Sequence, residues 1–124
     1  MNVISESAQR TTQSPAGAMF GLAAPSQGST EVSTWRVELN ADSATPVHII
    51  DREQVWMPLG GEFEVDVEGK VERATAGQAV VLPAGVVRQV KAAGGPAQAL
   101  VAMAVGGRAM LPGSEDRIPL PWAE

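Results

Sequence analysis

The stretch Gly77–Arg88, which reads GQAVVLPAGVVR, determines much of what the sequence predicts about the fold. Two short apolar runs flank a Pro-Ala-Gly turn, a pattern that predicts a strand, a tight turn and a second strand. Alternate side chains of a strand point to opposite faces, so Arg88 shares its face with Val86 and Val90. The more apolar face of this strand is therefore predicted to carry a permanent positive charge.

The same alternation recurs along the chain. It is clearest over Thr34–Leu39 and Glu62–Val67, where apolar and polar residues take turns, as in half-buried strands. Trp35 and Met57 are expected in the core because they are large and apolar. Eight or so short strands separated by Gly/Pro turns, with no helical period, predict an all-β sandwich or a small antiparallel barrel. The interior of such a barrel holds side chains or one small ligand.

Composition excludes several classes of protein. The chain has 124 residues and a formal net charge of -5, so it forms one domain with its own core and no basic patch for nucleic acid. No apolar run is long enough to cross a membrane, and the first residues lack the apolar core of a signal peptide. We therefore expect a cytoplasmic location. With no cysteine and one histidine, His48, disulfides and multi-histidine metal sites are excluded.

Residues 1–16 are polar and predict a flexible N-terminal arm. Residues 17–124 form the single barrel domain, with 106–124 as a tail that wraps the surface. The run Ala97–Val105 is apolar on both faces, so both faces need cover. A second sheet on one face and a partner subunit on the other would supply it, which predicts a homodimer.

With these strands in order, Gly77–Arg88 resembles the second cupin motif: Gly, five residues, Pro, one residue, Gly, two residues, His. Gly77, Pro83 and Gly85 match that motif in identity and spacing, and Arg88 stands at the position of the histidine.

The first cupin motif reads His, one residue, His, three or four residues, Glu, with a glycine closing the following strand. His48 matches the first histidine, Ile50 replaces the second, and Gln54 stands at the acidic position, while Trp56 and Gly61 match the aromatic and the closing glycine.

The resemblance covers roughly residues 34–105. The chain is similar to small single-domain bacterial cupins of the cupin 2 conserved-barrel type with degenerate metal-binding motifs. This resemblance implies a double-stranded β-helix, or jelly roll, and an association with bacterial secondary metabolism.

Family membership usually implies a metal held by three histidines and one glutamate. Those positions are His48, Ile50, Gln54 and Arg88 in this chain. Two neutral candidate ligands are too few for a typical protein metal site, and an arginine offers no lone pair and repels a divalent ion. We therefore expect no metal cofactor.

A buried guanidinium without a partner costs several kcal/mol, so Arg88 needs compensation. A structural role would give it an ion pair with Glu53, Asp51 or Glu38, or an exposed place at the strand end. A functional role would use it to bind a carboxylate or enolate oxygen of a ligand.

Four further residues are candidates for the site. Burial and a nearby cation favour a neutral His48 ring, which suits a general base, although a lone histidine is often structural. Gln54 can polarise a ligand carbonyl, and Trp56 and Ile50 would line a substrate-binding cavity.

The leading hypothesis is a metal-independent small-molecule site that isomerises, cyclises or dehydrates an oxygenated or carboxylated metabolite. His48 would move the proton, Arg88 would stabilise the oxyanion and bind substrate, and Gln54 would orient the substrate. One alternative is a non-catalytic ligand-binding or sensing module that uses the same cavity. Another is a metal-dependent dioxygenase with atypical ligands.

Overall fold

The computed structural model describes residues 1–124 and contains twelve β-strands and three short 3-10 turns. The strands, in chain order, are β1 (Thr11–Ser14), β2 (Gly17–Gly21), β3 (Val32–Leu39), β4 (His48–Ile50), β5 (Gln54–Gly60), β6 (Glu62–Val67), β7 (Lys70–Thr75), β8 (Val80–Leu82), β9 (Val87–Ala92), β10 (Ala97–Ala104), β11 (Arg108–Met110) and β12 (Ile118–Pro119). None of the helical turns has the length and hydrophobicity needed to span a membrane.

The strands form two six-stranded sheets. One has the order β1-β2-β3-β10-β5-β8, and the other has the order β12-β11-β4-β9-β6-β7. Every pair that we describe in either sheet is antiparallel. This arrangement confirms the predicted all-β jelly roll, and it places the core and any cavity between the two sheets.

The stretch Gly77–Arg88 forms the predicted strand, turn and strand, and it crosses between the sheets. β8 pairs with β5 in one sheet, whereas β9 pairs with β4 and β6 in the other. Gly85 adopts a left-handed φ of 80° in the turn, and its N–H donates to the Ile50 carbonyl at 2.8 Å. The turn is therefore fixed to the end of β4, which carries part of the predicted site.

Alternation correctly predicts the inward faces of the strands. The buried hydrophobic core combines residues of both sheets: Trp35, Val37, Leu39, Ile50, Trp56, Phe63, Val65, Leu82, Val90, Ala92, Ala97, Ala99, Val101, Met103, Leu120 and Ala123. The expected core position of Met57 is wrong, because its side chain is 37% exposed. Met57 alternates with the buried Trp56 on β5 and therefore points outward.

The N-terminal segment differs from the expected flexible arm, since Thr11–Ser14 form β1 along the edge of β2. Glu6 also forms an ion pair with Arg36 at 2.7 Å. A polar edge strand is held by main-chain hydrogen bonds and needs no apolar face. Hydrophobic alternation therefore gave no signal for β1.

The C-terminal tail adds β11 and β12 to one sheet and ends against the other. The hydroxyl of the buried Ser33 donates to the Ala123 carbonyl at 2.6 Å, and the Ser26 N–H donates to the Glu124 carbonyl at 3.1 Å. Leu120 is buried in the core. The tail is therefore an integral part of the barrel.

Two adjacent glycines provide a matched test of backbone constraint. Gly61 has a φ of 73°, and a Cβ there would clash with the Pro96 carbonyl oxygen, whereas a Cβ at Gly60 meets nothing within 4 Å. We expect Gly61→Ala to lower the free energy of unfolding by about 2–5 kcal/mol through left-handed strain and overpacking. Gly60→Ala should change it by less than about 1 kcal/mol. Urea denaturation of both variants measures the difference, and equal stabilities would contradict this prediction.

Candidate functional site in the barrel

An apolar cavity of about 190 Å³ lies between the two sheets. Its walls are formed by Met19, Trp35, Val37, Thr45, Pro46, His48, Ile50, Gln54, Trp56, Ala109, Leu111, Leu120 and Trp122. The structure thus brings four predicted site residues together: His48 and Ile50 from β4, and Gln54 and Trp56 from β5. The guanidinium-bearing Arg88 is not part of the cavity wall.

The single imidazole of the chain is held in one orientation. Nδ1 of His48 lies 2.6 Å from the carbonyl oxygen of Pro46. A carbonyl only accepts, so Nδ1 carries the proton and Nε2 of the neutral ring keeps a free lone pair. Burial lowers the pKa of His48 below its ordinary value; the Pro46 carbonyl opposes this, and the charge of Arg88 adds to the lowering. The cavity therefore contains an unprotonated nitrogen base at neutral pH.

Arg88 lies directly opposite His48 in the β4–β9 ladder and is 1% exposed. Its guanidinium donates to the carbonyls of Val86, at 3.2 Å, and Pro83, and to Oε1 of Gln54 at 3.5 Å. Burial lowers the pKa of Arg88 to about 10, which leaves it charged at neutral pH. The charge is therefore solvated by neutral oxygens.

The three carboxylates that the sequence offered as partners of this guanidinium lie elsewhere. Asp51 pairs with Arg117 at 3.0 Å, Glu38 pairs with Arg36, and Glu53 is exposed and forms no ion pair. The expected ion pair is therefore wrong, and so is the alternative of an exposed strand end.

The amide of Gln54 links the buried cation to the cavity. Its Oε1 accepts from Nε1 of Trp56 at 3.2 Å and from Arg88. Both partners can only donate, so they fix which end of the amide is oxygen. Nε2 has one weak acceptor, the sulfur of Met103 at 3.6 Å. The amide nitrogen thus keeps donor capacity for a ligand oxygen.

The sequence analysis did not predict several residues of the cavity wall. Met19 comes from β2, and Leu111, Leu120 and Trp122 come from the C-terminal tail. These segments reach the cavity through contacts between distant parts of the chain, which local alternation does not encode. The aromatic ring of Trp122 in an otherwise proline-rich tail was the available signal.

A second depression, of about 290 Å³, lies between β7 and β8. Lys70, Glu72 and Arg73 line it, and none of the predicted site residues reaches it. The apolar cavity is therefore the candidate site.

The chain matches the family model described as Cupin domain over residues 35–103, which is more than half of its length. This chain belongs to the cupin family. The matched span includes β4 and β9, which carry the two motifs, and the resemblance seen in the sequence is confirmed. None of the curated proteins matches this cupin.

Several solved structures share the fold. A cupin 2 domain-containing protein from Halorhodospira halophila is 23% identical, with a TM-score of 0.72 over 84% of this cupin and 76% of that chain. The polyketide cyclase RemF from Streptomyces resistomycificus is 17% identical, with a TM-score of 0.69 over 94% and 77%. KdgF from Halomonas sp. is 18% identical, with a TM-score of 0.67 over 76% and 84%. At these identities the likeness shows the fold alone.

The residues at the family's metal positions do not fit a metal ion. No group of three or more His, Asp or Glu side chains converges anywhere in the structure. Ile50 offers no donor atom, Oε1 of Gln54 already accepts two hydrogen bonds, and the cation of Arg88 lies beside it. His48 alone remains as a nitrogen ligand, short of the three or more that protein metal sites need.

The environment of His48 predicts its titration. We expect nuclear magnetic resonance to show that the imidazole of the folded protein titrates below 6.5. Arg88→Met, which removes the nearby charge and keeps the volume, should raise that pKa while leaving it below 6.5, because burial is the larger cause. A pKa at or above 6.5 for His48 in the wild type would contradict the half-buried, neutral ring.

The same shift sets the sign of a stability effect. The unfolded chain binds the His48 proton more tightly than the folded chain does. The contribution of neutral His48 to the free energy of unfolding is therefore fully present above pH 6.5. This contribution is lost as the pH falls from 6.5 through the lower pKa that His48 has in the folded protein. His48→Gln should remove this component of the pH dependence in urea denaturation.

Proposed function

We propose that this cupin is an enzyme that isomerises, cyclises or dehydrates an oxygenated small molecule by proton transfer, without a metal. One observation carries the proposal: the same apolar cavity is lined by His48, whose Nδ1 is engaged and whose Nε2 is left free, and by Gln54, whose amide orientation is fixed. A base and a donor to the developing oxyanion are the two groups that enolisation requires.

The chemistry assigns each residue a role. Nε2 of His48 takes a proton from the carbon next to a substrate carbonyl. The electron pair of the broken C–H bond forms a carbon–carbon double bond, and the π pair of the carbonyl moves to its oxygen. Gln54 donates an N–H to that oxygen, and the imidazolium then returns the proton at another position. For a dehydration, the enolate re-forms the carbonyl, its double bond moves to the next pair of carbons, and the C–O bond there breaks as the hydroxyl takes the returned proton and leaves as water.

Arg88 is a positioning residue in this scheme, because its guanidinium touches Gln54 and not the cavity. Its charge behind the amide favours negative charge on the substrate oxygen, since such interactions are strong in a low-dielectric interior. A direct grip on a substrate carboxylate has no support in these contacts. We therefore propose a substrate whose oxygen-bearing group is neutral and not a carboxylate.

Similarity to the polyketide cyclase RemF supports cyclisation as one of the three reaction classes, through a shared fold. The association with bacterial secondary metabolism and the cytoplasmic location remain predictions from the sequence.

A non-catalytic binding module is the second candidate. It is favoured by the lack of another titratable side chain in the cavity wall, since Thr45 and Gln54 are the other polar groups there. The Thr45 hydroxyl also accepts the Val90 N–H at 3.1 Å. If the protein is an enzyme, His48 must therefore both remove the proton and return it. A dioxygenase is disfavoured by the poor metal ligand set.

Deuterium exchange tests proton transfer without knowledge of the natural substrate. We expect the protein in D₂O to exchange the α-protons of 2-indanone faster than imidazole at the same concentration. His48→Gln should slow this exchange by about 100-fold or more, the size of a general-base contribution. Proton nuclear magnetic resonance measures the rates.

Two controls complete the test. Glu64→Gln, on the outer face of β6, should leave the rate unchanged, as should prior dialysis against a chelator. Exchange that is equally fast in His48→Gln would overturn the assignment of the base. Loss on chelation and recovery with added iron or manganese would favour the dioxygenase alternative.

We also propose that the protein is a homodimer that pairs through the outer face of β5, β8 and β10. Met57, Leu59 and Val81 are 37%, 50% and 57% exposed there, and Leu100 lies beside Met57 in the β5–β10 ladder. Contiguous exposed apolar surface of this kind marks interaction sites. A second copy offers a complementary surface by two-fold symmetry.

Met57→Asp tests the dimer by placing a charge at the centre of this surface. We expect light scattering to give a mass near 12.9 kDa for the variant and twice that for the wild type. Val71→Asp, on the exposed face of β7 in the other sheet, should remain dimeric. A monomeric wild type would contradict the proposal.

A further inference from the structure

The charge of the cavity limits what it can bind. No side chain in the wall carries a charge, since the imidazole of His48 is neutral. Nine of the thirteen lining residues are hydrophobic. An anion would lose its hydration there without reaching a countercharge, because the guanidinium of Arg88 lies behind Gln54. Such desolvation costs several kcal/mol. A neutral ligand avoids this cost.

The size of the cavity limits the ligand to about one ring. Its volume of about 190 Å³ is below the roughly 300 Å³ at which pockets for drug-sized ligands begin. An apolar protein cavity of about 150 Å³ accommodates benzene. A single aromatic ring with one short substituent therefore suits this space, and the rings of Trp35, Trp56 and Trp122 supply aromatic walls for it.

The C-terminal tail contributes an unused hydrogen-bond donor. Trp122 lines the cavity and packs against Trp35, with ring centroids 6.5 Å apart. Its indole Nε1 is buried and has no acceptor, whereas Nε1 of Trp56 donates to Gln54. A buried donor without an acceptor destabilises the protein. This nitrogen has almost no accessible surface, so the indole ring must turn before a ligand oxygen in the cavity can accept its N–H and offset that loss.

We infer that the cavity binds a neutral, single-ring aromatic ligand with an acceptor oxygen, and that Trp122 is a specificity-determining residue that donates its indole N–H to that oxygen. This inference rests on the proposed function, because it specifies the ligand of the same site. It adds a donor from the C-terminal tail to the one that Gln54 supplies.

Three one-ring probes separate the elements of the inference. Acetophenone has an acceptor oxygen, ethylbenzene has nearly the same shape without one, and benzoate is charged. We expect nitrogen-15 shift titrations of the wild type to show binding of acetophenone and little binding of benzoate. The indole N–H signal of Trp122 should move downfield with acetophenone and not with ethylbenzene.

Variants test the donor itself. Trp122→Phe keeps a ring and removes the N–H, so the ratio of acetophenone to ethylbenzene affinity should fall about tenfold, the size of one hydrogen bond. Glu64→Gln, on the outer face of β6, should change the ratio less than about twofold.

An unchanged ratio in Trp122→Phe, with an indole signal that does not move, would overturn the inference. So would preferential binding of benzoate, or a wild type that binds none of the probes. The deuterium-exchange rate and its dependence on His48 are independent of this ratio. Failure of the Trp122 contact is therefore distinguishable from failure of the proposed function.

Discussion

The site depends on the hydrogen bonds that the buried guanidinium of Arg88 donates. The guanidinium is buried without a carboxylate, and its N–H groups reach carbonyls of its own turn and the amide of Gln54. Because β9 and β5 belong to different sheets, this cation joins the two sheets at the cavity. It also helps to fix which end of the Gln54 amide is oxygen and to keep His48 neutral. One substitution in the second cupin motif thus organises the polar groups of the interior.

The side chains at the usual metal-binding positions of the cupin family differ from metal ligands in this chain. Where the family places metal ligands, this chain has an aliphatic side chain, an engaged amide and a cation beside one free imidazole nitrogen. A metal polarises a substrate oxygen through its charge. In the function proposed above, the charge of Arg88 acts through Gln54, which would stabilise an oxyanion by a hydrogen bond. The barrel keeps the fold of the family, and the side chains at its metal positions differ from the usual ligands.

The tail completes the site from the opposite direction. Ser33 and Ser26 bind the main chain of the last residues, which holds Leu120 and Trp122 against the cavity. The outward apolar face of β10, β5 and β8 lies on the other side of the same sheet. The interior face of that sheet therefore serves the ligand, and its exterior face is available to a second subunit.

The sequence by itself determined most of the central strands and their inward faces, because alternation and Gly/Pro turns act over a few residues. Its resemblance to the cupins implied the jelly roll and the four motif positions. The sequence also placed a cation on an inward face. Only the tertiary structure decided that Arg88 meets carbonyls and Gln54 and that the tail lines the cavity. Those outcomes depend on which distant segments meet, and long-range contacts are set by the packing of the two sheets.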